Sequence, residues 1–342
     1  MVETYFCRYK FKEMKEHIQK QKPGVWLIAI AMIVTGNLAA QSPSDAFMEK
    51  QGEICVGAYY NHNAWSEYWE GDSLRTNGNI GTVTTHTILG GIQLGILDRL
   101  NLFVMVPYVI THSTPEENPI DGLTTATIQG DKGFQDIAFF LKGSIVHSEV
   151  SKGTLDVLAT IGFSTPMSQY APDASFPLGM GCPDGIFRGI VQYSANMGIY
   201  GRGDAAYHIR GNSNLIRNYY YTTNGYFSTE VDMPDALDYN ATLGYWIKEN
   251  TFKAEAQLSG LTTFGGFDIR RQDGGFPSND MDAMRIGVNA EYFNAFIDGL
   301  AISFNSAYTL TGRNVGKSLT LGGGILYQFN LWNGNKATEA AQ

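Results

Sequence analysis

The sequence predicts an all-β chain, a transmembrane antiparallel up-and-down β-barrel of about 12 strands preceded by a cleavable signal peptide. Three observations carry this expectation: a basic leader running into a short apolar stretch, segments with a hydrophobic period of two, and connections that alternate between short and long.

The leader comes first. Arg8, Lys10, Lys12, Lys15, Lys20 and Lys22 precede an apolar run over 25–34, and Ala39-Ala40 follow. That is the layout of a secretory signal peptide, and a run of roughly ten apolar residues is well short of the ~20 that a spanning helix needs. Cleavage is expected after Ala40, with Met14 as an alternative start. Removing 1–40 takes six basic and three acidic side chains from totals of 24 and 33, leaving 18 against 30 and a net charge near −12. So acidic a chain, with no basic cluster left, is not expected to bind nucleic acid. Residues 41–50 are read as a short periplasmic segment, 51–331 as the barrel and 332–342 as a flexible polar tail.

The mature chain holds no stretch of 18 apolar residues. The 39 Gly, 19 Tyr and 19 Phe of the whole chain, with 17% charged residues, point to β structure. Period-two patterning marks strands at 51–61, 80–96, 100–112, 134–147, 154–167, 186–199, 204–212, 236–247, 252–263, 281–293, 300–311 and 318–331. An even number is what bacterial single-chain barrels have. Long connections at 62–79, 113–133, 168–185, 213–235 and 264–280 alternate with short turns at 97–99, 148–153, 200–203, 248–251 and 294–299. A barrel with short periplasmic turns and long external loops has this alternation; a soluble sandwich has no reason to keep it.

Side-chain parity separates two faces. Ile137, Phe139 and Leu141 oppose Asp136 and Lys142; Phe187, Val191 and Tyr193 oppose Arg188 and Gln192; Ala254 and Leu258 oppose Lys253 and Glu255; Ile286, Val288 and Tyr292 oppose Arg285, Asn289 and Glu291. A cation on the lipid face at the bilayer midplane costs about 2–4 kcal/mol, so Asp136, Lys142, Asp156, Arg188, Lys253, Glu255, Arg285 and Glu291 are expected to face the lumen. Opposite charges on neighbouring strands would fill part of it with a polar network. In the loops Trp65, Trp69, Tyr220, Tyr226 and Phe267 form a second candidate group, either receiving a hydrophobic ligand or packing the loops against one another.

No pattern carries catalysis. His62, His86, His112, His147 and His208 are scattered without His-x-x-x-His spacing, and no Gly-x-Ser-x-Gly elbow occurs. The acidic groups Asp121, Asp131 and Asp136, and Asp268, Asp273, Asp280 and Asp282, lack Ca²⁺-loop spacing and read as solvated loops. No catalytic residue, metal or cofactor is expected. Gly322-Gly323-Gly324 lies inside a strand and reads as a bend or close packing in the wall. Cys55 and Cys182 are not expected to pair.

The stretch Leu100-Asn101-Leu102-Phe103-Val104-Met105-Val106-Pro107-Tyr108-Val109, after the turn Leu97-Asp98-Arg99, resembles the outer-membrane β-barrel family of the phenol-degradation meta-pathway type. So does Gly133-Phe134-Gln135-Asp136-Ile137-Ala138-Phe139-Phe140-Leu141-Lys142. The motifs cover about 45 residues, and the sequence departs at Phe163-Ser164-Thr165-Pro166-Met167, where the family has a Pro-Thr-Gly turn. The resemblance implies a barrel of a Gram-negative outer membrane, distantly like transporters of aromatic and fatty compounds. Its expected partners are outer-membrane lipid, lipopolysaccharide and a small hydrophobic or aromatic ligand. The expected function is a passive channel for such molecules; a closed surface-interaction barrel is the alternative, and a lipid-modifying enzyme a third. Long-chain fatty-acid transporters carry an N-terminal hatch. Residues 41–50 are too few for one, so a plug-free lumen is expected.

Overall fold

The computed structural model describes residues 42–78, 80–114, 129–174, 176–216, 220–221, 227–247, 251–269 and 278–331. The signal-peptide reading, the tail, Asp121, Asp273 and Tyr226 lie outside them.

Twelve antiparallel strands close into one barrel. They are β1 (Glu53–Trp65), β2 (Thr82–Leu97), β3 (Leu100–Thr114), β4 (Asp136–Val150, preceded by the extension Gln129–Phe134), β5 (Gly153–Pro166) and β6 (Asp184–Ala195). The second half is β7 (Ile199–Arg210), β8 (Ala236–Ile247), β9 (Phe252–Thr263), β10 (Asp282–Phe293), β11 (Leu300–Arg313) and β12 (Leu319–Asn330). Each strand pairs with its sequence neighbours, and β1 closes the ring on β12 from Glu53↔Asn330 to Ala64↔Leu319. Closure leaves no sheet edge unpaired, which a bilayer requires because lipid offers backbone groups no hydrogen bonds.

The strands alternate as period two demands. Ile161 (59% exposed), Phe163, Phe187, Val191, Leu243, Ile286 and Ile325 point outward, whereas Leu158, Thr160, Ile190, Gln192 and Thr242 are buried inside. An apolar exterior around a polar interior is the inverse of a water-soluble protein, and suits lipid. No helix among the described residues is long and apolar enough to cross a membrane. The chain is an outer-membrane β-barrel of the Gram-negative type.

One turn differs from expectation. The sequence placed it at 200–203, but β6 ends at Ala195 and β7 begins at Ile199. Gly198, at φ +90°, takes the turn, and a Cβ there would stand 2.9 Å from Trp246 O. Gly201 and Gly203 resemble turn residues but lie in the ladder opposite Leu243 and Ala241.

Gly322 and Gly324 make room for their neighbours. A Cβ on Gly322 would stand 2.0 Å from Asn61 Oδ1, and one on Gly324 would stand 2.3 Å from the Tyr59 ring. Asn305 Nδ2 donates to that Asn61 oxygen at 2.9 Å. Cys55 and Cys182 are buried free thiols.

Candidate functional site

The interior is built from three layers of side chains, a periplasmic segment, a charged wall and an external cap. The segment overturns the plug-free expectation. Residues 42–50 run inside the barrel. Lys142 Nζ, fully buried, donates to Asp45 Oδ1 and to Ser42 O, each at 2.8 Å. Thr160 Oγ1 donates to Pro43 O at 3.0 Å, and Asn101 exchanges bonds of 2.8 and 2.9 Å with the backbone of Glu49. The Phe47 ring meets Trp246 edge-on at 5.6 Å between centroids. Nine residues are too few for a folded hatch, yet enough for a strap that begins in a turn over Ser42–Asp45.

At the periplasmic mouth Glu49 lies near Glu53, and Gln328 donates to both carboxylates. Burial, and secondarily the Glu53 charge, push the Glu49 carboxyl up to about 9.

The charged wall stands above. Lys253 Nζ meets Glu291 at 2.9 Å across adjacent strands, and Glu255 accepts from Arg202 at 3.1 Å and from the Tyr200 hydroxyl at 2.6 Å. Asn289 donates to Glu255 at 3.2 Å. A second cluster lies higher on β6–β8. Arg188 bridges Asp204 and Asp238, the latter at 2.9 Å, and His208 lies between Asp184 (2.7 Å) and Asp238 (2.8 Å). Asp136, under the third loop, accepts from the Tyr170 hydroxyl.

The remaining lumen candidates sit apart. Asp156 pairs with His147 at 2.6 Å near the periplasmic rim, and Lys142 turns to Asp45. Arg285 has inward parity and makes no side-chain hydrogen bond or ion pair among the described residues. Arg202, Tyr200 and Asp204 were missed because they lie on or beside the misplaced turn. Alternation of Tyr200, Arg202, Asp204 and Ala206, all buried, is the signal that finds them.

Externally, the third loop folds into the mouth. Phe176, Leu178 and Cys182 are buried, and Thr111 Oγ1, pointing inward, donates to Phe176 O at 3.0 Å. Burial pushes the Cys182 thiol up to about 11. Trp69 is buried, with its backbone N–H donating to Val315 O at 2.9 Å, and Trp65 covers Gly316. These two indoles join the first loop to the last. Phe267 is 42% exposed; Tyr220 belongs to a hairpin, Tyr220–Tyr221 with Phe227–Ser228, and its side chain lies outside what is described. Asp268 and Asp280, which read as solvated, are neutralised by Arg313 at 2.7 and 3.1 Å. Asn314 and then Arg313 hold the Asp268 carboxyl below its usual range.

Between strap and cap lies a cavity of about 350 Å³ with two unlike walls. Tyr59, Leu89, Phe103, Met105 and Leu326 form one, mainly apolar but with Asn61 and Gln93 on the same strands; Arg202, Asn240, Lys253, Glu255, Gln257, Asn289 and Glu291 form the other, and Ser42–Asp45 contribute from the strap. Arg202 Nε, Asn240 Oδ1 and Ser303 Oγ, buried at this cavity, have no hydrogen-bond partner among the described residues.

No family model and no curated protein matches the chain. Among solved structures, the COG4313 outer membrane channel from Pseudomonas putida F1 superposes with TM-score 0.63 at 12% identity, over 85% of this chain and 100% of that one. The NanC porin (TM-score 0.42, 9% identity, 80% and 98% coverage) and a TodX monoaromatic hydrocarbon channel mutant (0.37, 10%, 82% and 91%) are more remote. The first likeness shows a shared fold, a closed antiparallel barrel.

Proposed function

We propose that the protein is a passive outer-membrane channel for small hydrophobic or aromatic molecules, performing no chemistry on them. The observation that carries this reading is the two-walled cavity. Its volume lies at the lower end of small-molecule sites, about 300–1,000 Å³. One wall offers apolar side chains and the rings of Tyr59 and Phe103, against which an aromatic body buries surface and stacks. The facing wall offers hydrogen bonds but no net charge, since Arg202 and Lys253 are matched by Glu255 and Glu291. A charged solute would have to break ion pairs there. A neutral solute with one polar head would not.

In this reading the external loops receive the solute and the strap yields to release it into the periplasm, down its gradient. The surrounding partners are outer-membrane lipid and lipopolysaccharide. The test is the initial uptake rate of a radiolabelled neutral aromatic by cells lacking the gene, with and without complementation. Complementation should raise the rate several-fold. The rival reading, a closed surface-interaction barrel, is favoured by the bonds holding the strap, and it predicts identical rates.

A further inference from the structure

On three consecutive strands the outward apolar column ends in a histidine. In β1 it runs Ile54, Val56, Ala58, Tyr60, His62; in β2, from the periplasmic side, Leu94, Ile92, Gly90, Ile88, His86; in β3, Leu102, Val104, Val106, Tyr108, Ile110, His112. Tyr60, Ile88 and Ile92 are each about half exposed, which sets this face on the outside. The imidazoles form a row, with centroids 5.0 Å apart for His62–His86 and 5.3 Å for His86–His112. The Tyr60 hydroxyl bonds His86 Nδ1 at 2.6 Å, leaving Nε2 for another partner. On the β4 extension Lys132 pairs with Ile110, so it takes the same outward parity beyond His112.

The height of the row follows from strand geometry. Eight residues from Ile54 to His62 span about 26 Å along the strand, or about 20 Å along the membrane normal at a tilt of about 40°. From Leu102 to His112 the corresponding rise is about 25 Å. The apolar band of such barrels is about 25 Å tall, so the row lies at its external border, where lipid headgroups begin. Among the described residues no carboxylate pairs with the three imidazoles or with the Lys132 ammonium; the Asp131 carboxylate accepts the backbone N–H of Lys132 at 2.8 Å. The groups facing the row are Tyr60, Ile110 and, from β12, Leu321.

We infer that His62, His86, His112 and Lys132 form a site on the outer wall for a phosphate group of an outer-leaflet lipid. Four nitrogen donors at the height of the headgroups, with no carboxylate paired to them among the described residues, suit a phosphate dianion through charge-assisted hydrogen bonds. The inference rests on the barrel's orientation in the proposed reading, with long loops outside, and not on conduction.

The test uses the full protein in detergent and native mass spectrometry with bis-phosphorylated lipid A, its dephosphorylated form and free inorganic phosphate. The wild type should retain bis-phosphorylated lipid A about tenfold more than the dephosphorylated lipid. The H62Q/H86Q/H112Q variant should lose that preference, and His86→Gln alone should weaken it. Heat-modifiable gel mobility checks that each variant is folded. Equal retention by wild type and folded triple variant, indifference to the phosphates, or binding of inorganic phosphate without the lipid overturns the inference. Normal aromatic uptake by a variant that has lost the lipid leaves the channel reading intact.

Discussion

An ammonium group taken out of water costs several kcal/mol unless an anion meets it. Lys142 is fully buried and meets Asp45 at 2.8 Å, with the Phe103 ring 5.0 Å from its nitrogen. Lys142→Met leaves Asp45 buried without its cation, a loss of about 3–5 kcal/mol. Most of that falls on the strap, which can leave the lumen without unfolding the barrel. Single-channel recording should therefore show a larger, steadier conductance for Lys142→Met than for wild type. Glu49 gives the strap a pH dependence. Its carboxyl is raised from 4.5 to about 9 when docked, so the docked state favours the proton. That contribution is fully present below pH 4.5 and is lost as pH rises through 9. Conductance should climb between about pH 4.5 and 9 in the wild type and stay flat in Glu49→Gln.

At the scale of the strand, lipid is the solvent. Ile161 lies mid-strand and outward, and Ile161→Arg should destabilise folding into phospholipid vesicles by about 2–4 kcal/mol in a urea titration. Met197, at a periplasmic turn, should accept the same change nearly without effect. Gly198→Val forces a branched residue to φ +90° and should cost about 1–3 kcal/mol in that assay. The strands were legible in the sequence because period two is a local signal, and so was the Lys253–Glu291 pair, which stands on neighbouring strands with each residue close to a short periplasmic turn. Arg202 and Glu255 were not, since they stand two strands apart and only closure of the wall brings them near. The 200–203 error arose because Gly201, Arg202, Gly203 and Asp204 have the composition of a turn; inside a barrel the same charges are lumen groups. The strap was illegible for a different reason. Its nine residues have no periodicity, and Asp45 finds its partner 97 positions away.

The whole molecule is polar along its axis. The external mouth is capped by a folded loop, the periplasmic half is held by a short strap, and the cavity lies between, so passage of a solute requires the strap to yield. Locking it isolates that motion from everything else in the barrel. Pro43 O and Thr160 Oγ1 are 3.0 Å apart, and a Pro43→Cys/Thr160→Cys variant should form a disulfide across this contact. The decisive measurement is uptake of a labelled neutral aromatic by deletion-strain cells carrying the double-cysteine variant, before and after reduction. A passive channel gated by the strap predicts uptake at the deletion level when oxidised and at the wild-type level when reduced. Uptake by wild-type-complemented cells no faster than by the deletion strain, or unchanged by the lock, would contradict it.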